Sequence, residues 1–327
     1  MAIKKTSQTH QIAGEAHKPR LRPYRVTLFQ KRIFQWYAVE RRDLPWRRTR
    51  DPYRILVSEI MLQQTPVARV VDKYSQFTRK FSSLHALARA PRRQVLIAWS
   101  GLGYNRRALQ LQAAATMVIK KHHGVFPRTR TELLALPGIG EATAGSILAF
   151  VYRQDALALD VNLKRIIQRF FYGSEYRQPQ SIQAIREAGE QTIPPGQGYD
   201  WNQALMDFGA LVCRARQPRC SICPLKARCQ ARPQIKRDLF QYVRTRRPEP
   251  APASAPNVPN RIFRGRVIEQ LRQAKKHQLP FGALARVVKK DYTQTDQGWF
   301  LRLLSGLERD GLITLGQKNN RRSARLA

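Results

Sequence analysis

Apolar residues recur at helical spacing from about residue 26 to residue 240, and strand-like alternation is rare in that stretch. In segment 161–171, for example, Leu163, Ile167 and Phe170 fall on one helical face. Short connections rich in glycine, proline or capping residues separate such segments. Helices are predicted at 26–41, 53–62, 66–80, 92–98, 106–122, 131–135, 141–153, 161–171, 181–190 and 201–212. The pattern therefore predicts a mainly α body.

A change in composition separates this body from a smaller C-terminal unit. Residues 247–259 hold five prolines, so we predict a stiff, extended linker at 241–260 rather than a packed element. Residues 312–327 have the pattern of a basic β-hairpin. Three helices are predicted before it, at 264–274, 281–289 and 298–309. This order is typical of winged-helix modules that contact DNA or protein, so 261–327 is predicted to be a small winged-helix-like α+β domain.

The charge of the chain favours a polyanionic partner. Lys and Arg total 59 against 22 Asp and Glu, which gives a formal net charge of +37. Nucleic acid is favoured over an anionic membrane surface, because no long Lys-rich amphipathic helix stands out. Residues 1–25 lack the apolar core of a signal peptide, and we predict a flexible basic arm there. No apolar run approaches the roughly eighteen residues of a membrane span, so a cytoplasmic protein is expected.

All four cysteines lie in one short stretch and read C-x6-C-x2-C-x5-C, at Cys213, Cys220, Cys223 and Cys229. Such clustering in an otherwise thiol-free chain indicates a metal site in a reducing compartment. Four thiolates suit either a structural zinc ion or a 4Fe–4S cluster. The spacing alone leaves these two alternatives nearly equal.

A glycine-containing turn, LPGIG, lies at 136–140 between two predicted helices. Gly138 and Gly140 would let the backbone turn tightly, so that its N–H groups could bind a phosphate oxygen at the next helix N-terminus. A plain interhelical connection would use the same residues. The net charge favours the phosphate-binding interpretation.

Two carboxylates have contrasting surroundings. Glu59 lies within the apolar run ILVSEIML, where desolvation should raise its pKa and suit it to general acid catalysis. An exposed helical glutamate is the alternative, which the apolar flanks oppose. Asp160 directly precedes a predicted helix, so we expect an N-cap whose low pKa keeps it charged. Such a pair can divide acid and anion roles.

The LPGIG turn, Asp160 and the cysteine loop together resemble the endonuclease III superfamily of DNA glycosylases. Several segments resemble its MutY-like adenine glycosylases: RRDLPWR (41–47), DPYRILVSEIMLQQT (51–65), GLGY (101–104), NQALMDFGALVC (202–213) and CSICPLKARC (220–229). The resemblance covers roughly residues 35–232. It implies a two-lobed helix-hairpin-helix fold over 26–240, with a 4Fe–4S cluster on the four cysteines. It also implies duplex DNA with a mismatch or lesion as the partner, and a monomer is the default expectation.

The resemblance assigns roles as well. Glu59 would protonate the departing adenine, and Asp160 would stabilise the positively charged sugar. Gln64 would fill the gap left by a flipped base, and Tyr104 would intercalate. The residues implied for the base pocket and the intercalating turns are Arg42, Leu44, Trp46, Gln63, Gln64, Thr65, Tyr104, Asn162 and Gln203. Those implied for the phosphate-binding hairpin are Pro137, Gly138, Ile139 and Gly140.

Simpler roles compete with some of these assignments. Trp46 could be an ordinary core residue, which is the commoner place for tryptophan. Thr65 is also a plausible N-cap, with Pro66 as the first residue of the next helix.

Two features depart from the resemblance. Ala142 stands where the related lyases carry a catalytic lysine, and because alanine cannot form a Schiff base we predict a monofunctional glycosylase. Lys164 could trap a sugar aldehyde incidentally, although a phosphate contact is preferred. Residues 260–327 are too few for the Nudix-like domain that reads 8-oxoguanine in MutY relatives.

Excision of adenine opposite 8-oxoguanine or guanine is therefore the leading expectation, with two alternatives. One is a glycosylase for another base, such as thymine or uracil opposite guanine, hypoxanthine or an alkylated purine. The other is a non-catalytic iron–sulfur protein that binds DNA.

Overall fold

The structure, a computed structural model, describes residues 21–235, 251–255, 257–318 and 321–327. Residues 1–20 of the predicted basic arm and residues 241–250 of the predicted linker lie outside the described residues. The last residues of the predicted arm, from Pro23 onward, belong to the first helix rather than to a flexible segment. Proline is favoured in the first turn of a helix.

The body is mainly helical, as predicted. Its helices are α1 (Pro23–Glu40), α2 (Pro52–Leu62), α3 (Val67–Lys80), α4 (Leu84–Arg89), α5 (Arg92–Ala98), α6 (Arg106–His122), α7 (Arg130–Leu134), α8 (Glu141–Phe150), α9 (Val161–Ile167), α10 (Ile182–Glu190) and α11 (Gly198–Leu211). The sequence pattern missed α4 and a 3₁₀ turn at Pro45–Arg48. It also overextended two helices: α8 ends at Phe150, and after α9 the chain continues as a π-helical turn, Gln168–Tyr172.

Two apolar cores divide the body into two lobes. The first core contains buried residues of α2 to α8, such as Leu56 and Trp99. The second joins α1, α9, α10 and α11, where Phe29 stacks on Phe170 at 4.8 Å and meets Trp201 edge-on at 5.4 Å. The helix carrying Glu59 thus belongs to one lobe, and the helix that begins after Asp160 belongs to the other.

The C-terminal unit is a small α+β module, as predicted. It contains α12 (Asn260–Gln273), α13 (Phe281–Val288), α14 (Gln297–Arg309) and the strands β1 (Gln278–Pro280), β2 (Ile313–Lys318) and β3 (Arg321–Leu326). The predicted hairpin is β2 and β3, which pair antiparallel. A short strand that the sequence did not predict, β1, pairs with the other edge of β3 and gives the order β1-β3-β2.

The described part of the predicted linker is packed rather than extended. Pro252 is buried, and Ala255 and Val258 pack against the first core. The Ser254 hydroxyl donates a hydrogen bond to Asp296, which is buried at the start of α14. The expectation of an unpacked spacer is therefore wrong here, because small apolar residues between the prolines find a surface to cover.

The module is joined to the first lobe by polar as well as apolar contacts. The Arg272 guanidinium donates to the Leu96 carbonyl at 3.0 Å and to the Asn105 amide oxygen at 2.6 Å. The Ser100 hydroxyl donates to Glu269 at 3.3 Å. Buried residues of the module also continue the first apolar core. In the described ranges, none of the helices has the combination of length and apolar character that a bilayer crossing requires.

Candidate active site

Glu59 lies in the last turns of α2, among buried apolar neighbours. Burial raises the pKa of its carboxyl to about 7, and the charge of Asp160 adds to the rise, while Ser146 and Arg47 act in the opposite direction. The Ser146 hydroxyl is buried and lies close enough to the Glu59 carboxyl to favour its charged form. The site thus holds a carboxyl that is partly protonated near neutral pH, with a hydroxyl group close to it.

Asp160 is the N-cap of α9, as expected. Its carboxylate accepts hydrogen bonds from the backbone N–H groups of Asn162 and Leu163 and from the Asn162 amide, each at 2.8 Å. The expected low pKa is wrong, because burial raises the pKa of Asp160 despite these donors. An added Cβ at Gly145 would lie 2.1 Å from the Leu157 carbonyl oxygen, so only glycine lets α8 pack against the segment leading to Asp160.

A largely buried ion-pair network lies near Glu59, whose pKa the charge of Arg47 lowers. Asp207 on α11 accepts from the Arg42 Nε at 2.7 Å and from both terminal nitrogens of Arg47, at 2.7 and 2.9 Å. Although burial would raise it, these bonds hold the pKa of Asp207 below its usual value. Arg42, which was predicted for the base pocket, thus forms an ion pair with Asp207. Sequence reasoning missed Asp207 and Arg47, yet Asp207 also lies in an apolar helical run, the signal that marked Glu59.

The other predicted pocket residues occupy varied places. Leu44 and Trp46 are buried in the first core, and Trp46 packs edge-to-face on Tyr74 at 5.5 Å, as a core residue would. Gln203 is buried on α11, one turn before Asp207. Asn162 is half-buried and accepts a hydrogen bond from Arg165 at 2.7 Å while donating to Asp160.

The two predicted intercalating turns are held together by Arg107, which sequence reasoning also missed. Its guanidinium donates to the carbonyls of Ile60 at 2.8 Å and Leu102 at 3.1 Å, and to the Thr65 hydroxyl at 2.9 Å. It contacts the Met61, Gln63 and Gly103 carbonyls as well. Burial lowers the pKa of Arg107 to about 10. An arginine near a helix N-terminus carries no sequence sign of burial.

The backbone of both turns is unusual. Gln64 and Tyr104 have φ values of 56° and 44°, which non-glycine residues rarely adopt. The side chain of Tyr104 is 50% exposed. Thr65 is not the N-cap of α3, which begins at Val67 after Pro66, because the Thr65 hydroxyl is held by Arg107 and by the Leu102 carbonyl.

The LPGIG hairpin lies between α7 and α8, as predicted. Gly138 has a φ of 78°, and a Cβ there would lie 2.9 Å from the Cβ of Gln110, so glycine is required twice over. Pro137 and Ile139 complete the turn, and Gly140 is the N-cap of α8 with open space where a Cβ would be. The Gln63 amide lies 3.4 Å from the Gly138 carbonyl and so connects the hairpin to the α2–α3 turn.

The two remaining candidates differ in exposure. Ala142 is half-buried in the first turn of α8, and Lys164 is exposed in the last turn of α9. Position 142 therefore carries a methyl group rather than an amine.

The four cysteines line one small cavity, together with Arg169, Arg219, Lys226 and Arg232. Burial raises the pKa of Cys223 to about 12 and that of Cys229 to about 11. Arg169 is nearly fully buried and lies 3.8 Å from the Cys213 sulfur. Among the described residues, no three His, Cys, Asp or Glu side chains are placed to hold one metal ion. The four thiols thus line a common space.

Comparisons with known proteins agree with this geometry. Residues 57–191 match the HhH-GPD superfamily of base excision DNA repair proteins. The thymine/uracil-DNA glycosylase of Methanothermobacter thermautotrophicus is 34% identical over 203 residues, which are 62% of this chain and 92% of that protein. The solved structure of a thermostable thymine-DNA glycosylase is 33% identical and has a TM-score of 0.61, covering 64% of this chain and 98% of that one.

Adenine DNA glycosylases are similar as well, which confirms the resemblance drawn from the sequence motifs. Those of Buchnera aphidicola subsp. Baizongia pistaciae and Homo sapiens are both 37% identical, over 215 and 223 residues, each 65% of this chain. The chain spans only 60% and 41% of the lengths of those two proteins. The match to nearly the whole length of the Methanothermobacter thermautotrophicus glycosylase establishes the family. The chain belongs to the HhH-GPD superfamily of base excision DNA repair proteins.

Proposed function

We propose that the protein is a monofunctional DNA glycosylase that hydrolyses the N-glycosidic bond of adenine opposite 8-oxoguanine or guanine in duplex DNA. The observation that carries the proposal is the Glu59 carboxyl, with a pKa of about 7, placed close enough to the Asp160 N-cap for the charge of Asp160 to raise that pKa. The names of the relatives at 37% identity support adenine as the base. We expect the enzyme to be cytoplasmic. We also expect a monomer, because one glycosylase domain is sufficient to bind one flipped base.

The chemistry follows from the two carboxyls. Once the nucleotide has flipped out of the stack, the glycosidic bond breaks and its electron pair goes to the base. Protonated Glu59 supplies the proton that this base takes up. The Asp160 carboxylate stabilises the cationic sugar left behind. Water then adds to the anomeric carbon and gives its proton to Glu59, since Ala142 offers no amine for a covalent intermediate.

The four cysteines are proposed to hold a 4Fe–4S cluster, as the resemblance implies. All four thiols line one small cavity, and four thiolates are the ligand set that such a cluster needs. The basic side chains around the cavity would balance the negative charge of a thiolate-bound cluster. When bound, the cluster would supply iron–thiolate bonds that hold Cys213, Cys220, Cys223 and Cys229 together.

Removal of thymine or uracil is a second candidate, favoured by a specific observation. The thymine/uracil-DNA glycosylase of Methanothermobacter thermautotrophicus is matched over 92% of its length, a larger share than either adenine relative described above. The C-terminal module also has too few residues for the Nudix-like domain of MutY relatives.

A panel of duplexes, each with one defined pair, tests the proposal. Single-turnover excision is measured for adenine opposite 8-oxoguanine and guanine, for thymine and uracil opposite guanine, and for hypoxanthine. We expect release of adenine, and a Glu59→Gln variant should lose at least about 10³-fold in rate while binding the same duplex. The exposed Glu190→Gln substitution, at the end of α10, serves as the matched control.

The outcomes separate the candidates. Release of thymine or uracil without adenine would replace the proposed substrate by the second candidate. Excision that persists in Glu59→Gln would remove Glu59 from the reaction. Protein that binds DNA but releases no base from any duplex would make it a non-catalytic binder.

A further inference from the structure

A cleft of about 770 Å³ opens between the glycosylase body and the C-terminal module. One wall is formed by the two turns that carry Gln64 and Tyr104. The opposite wall is formed by the first turns of α12. The residues of α12 that line the cleft are Arg261, Ile262, Arg264 and Gly265. We refer to this space as the α12 cleft.

The charge of the α12 cleft suits a polyanion. Arg69 and Arg106 from the body and Arg261 and Arg264 from the module line it, and Asp310 is the acidic residue in its lining. Asp310 pairs with Arg264 of the module and lies 3.6 Å from Arg106 of the body. This carboxylate therefore holds two guanidinium groups, one from each side, at the same place in the cleft.

The apolar groups of the cleft suit nucleobases. The Tyr104 side chain is 50% exposed on one wall, and Ile262 is 36% exposed on the other. Stacking of a base on an aromatic side chain contributes about 1–3 kcal/mol. The backbone strain at Gln64 and Tyr104 is of the kind that persists where a turn has a binding role.

At Gly265, the surface that α12 presents to the cleft has no side chain. It lies inside a helix of 14 residues, where glycine is about 1 kcal/mol less favourable than alanine. A Cβ at this position would meet no atom within 4 Å, so packing inside the protein does not require glycine there. The absent side chain instead leaves room in the cleft.

We propose that α12 is the second wall of a binding site for the DNA strand opposite the excised nucleotide, so that the module takes part in choosing the opposite base. This inference rests on the proposed function, in which the flipped base goes to Glu59, and on the resemblance, which implies that Gln64 and Tyr104 enter the duplex that the base has left. Whatever lies between those turns and α12 is then the strand that stays behind. Its phosphates would meet the arginines, and its bases would meet Tyr104 and Ile262.

Filling the cleft tests the inference. A Gly265→Leu variant places a side chain in open space and improves helix propensity, so its melting temperature should equal or exceed that of the wild type. We expect its Kd for the lesion duplex to rise at least tenfold and its preference among opposite bases to diminish. Gly298→Leu, at an exposed position of α14 in the same module, is the matched control.

A second variant acts through charge rather than volume. Arg264→Gln removes one cation from the cleft and leaves Asp310 paired with Arg106. It should weaken duplex binding and reduce the slope of log Kd against log salt by about one.

The results distinguish the inference from the proposed function. If the wild type excises a base, but Gly265→Leu and Arg264→Gln match it in Kd and in opposite-base preference, the inference is wrong. If the wild type excises no base, the proposed function fails. In that case, loss of duplex affinity in both variants would still place DNA in the cleft.

Discussion

At the scale of single residues, the buried Glu59 carboxyl should make folding stability depend on pH. Its pKa is about 7 in the folded protein, against 4.5 for a free side chain. The folded state therefore binds the proton more tightly than the unfolded state, and the stabilisation is complete below the unfolded pKa. It is lost as pH rises toward 7, by up to about 3 kcal/mol, since each pKa unit corresponds to 1.36 kcal/mol.

A Glu59→Gln variant should reveal this effect directly. The amide is neutral at every pH, so the variant should gain stability relative to the wild type between pH 5 and pH 8, and the difference should level off above the folded pKa. Urea denaturation at several pH values measures it. Glu190→Gln, the exposed substitution at the end of α10, is the matched control. A constant difference across this range would mean that the Glu59 carboxyl titrates normally in the folded protein.

Residue chemistry was predictable where one local signal decided it. The apolar run around Glu59 correctly indicated burial, and Asp160 caps α9 as its position suggested. The pKa direction at Asp160 was not predictable, because the cap bonds lower the pKa while burial, a tertiary effect, raises it more. The ion pair of Arg42 with Asp207 could not be predicted either, since Asp207 lies 165 positions away in the chain.

At the scale of elements, one side chain fixes the relation between the two turns that are predicted to intercalate. Arg107 reaches both from the first turn of α6, and no carboxylate pairs with it among the described contacts. An Arg107→Met variant would leave several buried carbonyls without their donor, at about 1–3 kcal/mol for each group left unsatisfied. We expect a lower melting temperature and at least a tenfold loss of duplex affinity, measured by thermal unfolding and fluorescence anisotropy.

Two controls isolate the role of geometry at this position. Arg107→Lys keeps the charge but loses the planar fork, so it should recover only part of the affinity. Arg89→Met removes an exposed charge from the last turn of α4 and should leave stability unchanged. If Arg107→Met bound the duplex as tightly as wild type, the turns would not need Arg107 to hold them.

Elements were predicted best where hydrophobic periodicity was long and ended by clear caps. Helix α6 is observed at Arg106–His122, the predicted range, whereas α4 is only six residues long and too short for a periodic signal. Strand β1 has three residues and exists only through its pairing with β3. The packing of residues 251–255 was hidden for the same reason, because it depends on a surface supplied by the rest of the chain.

At the scale of the whole molecule, the C-terminal module packs against the body, and the two share one apolar core. Arg272 and Glu269 of α12 bond to the α5–α6 region, and the apolar core continues across the boundary. A module held this way presents α12 to the cleft in a fixed orientation. The contribution to DNA binding that we propose for α12 would come from its arginines together with those of the body.

The charge of +37 predicts that this binding depends steeply on salt. Neutralising Z phosphates releases counterions, and log K falls against log salt with a slope near −0.9Z. If roughly six to ten phosphates are contacted, affinity should fall about 10³- to 10⁵-fold between about 50 and 200 mM salt. Anisotropy titrations with an undamaged duplex measure the slope without contributions from base recognition.

Two variants separate charge in the α12 cleft from charge elsewhere. Arg89→Met removes one charge on α4 and controls for the overall positive charge of the protein, whereas Arg264→Gln removes a charge from the α12 cleft. The slope should fall by about one for Arg264→Gln and by less for Arg89→Met, because counterion release counts phosphates contacted rather than net charge. Affinity that did not change with salt would show that the excess of basic residues does not act on DNA.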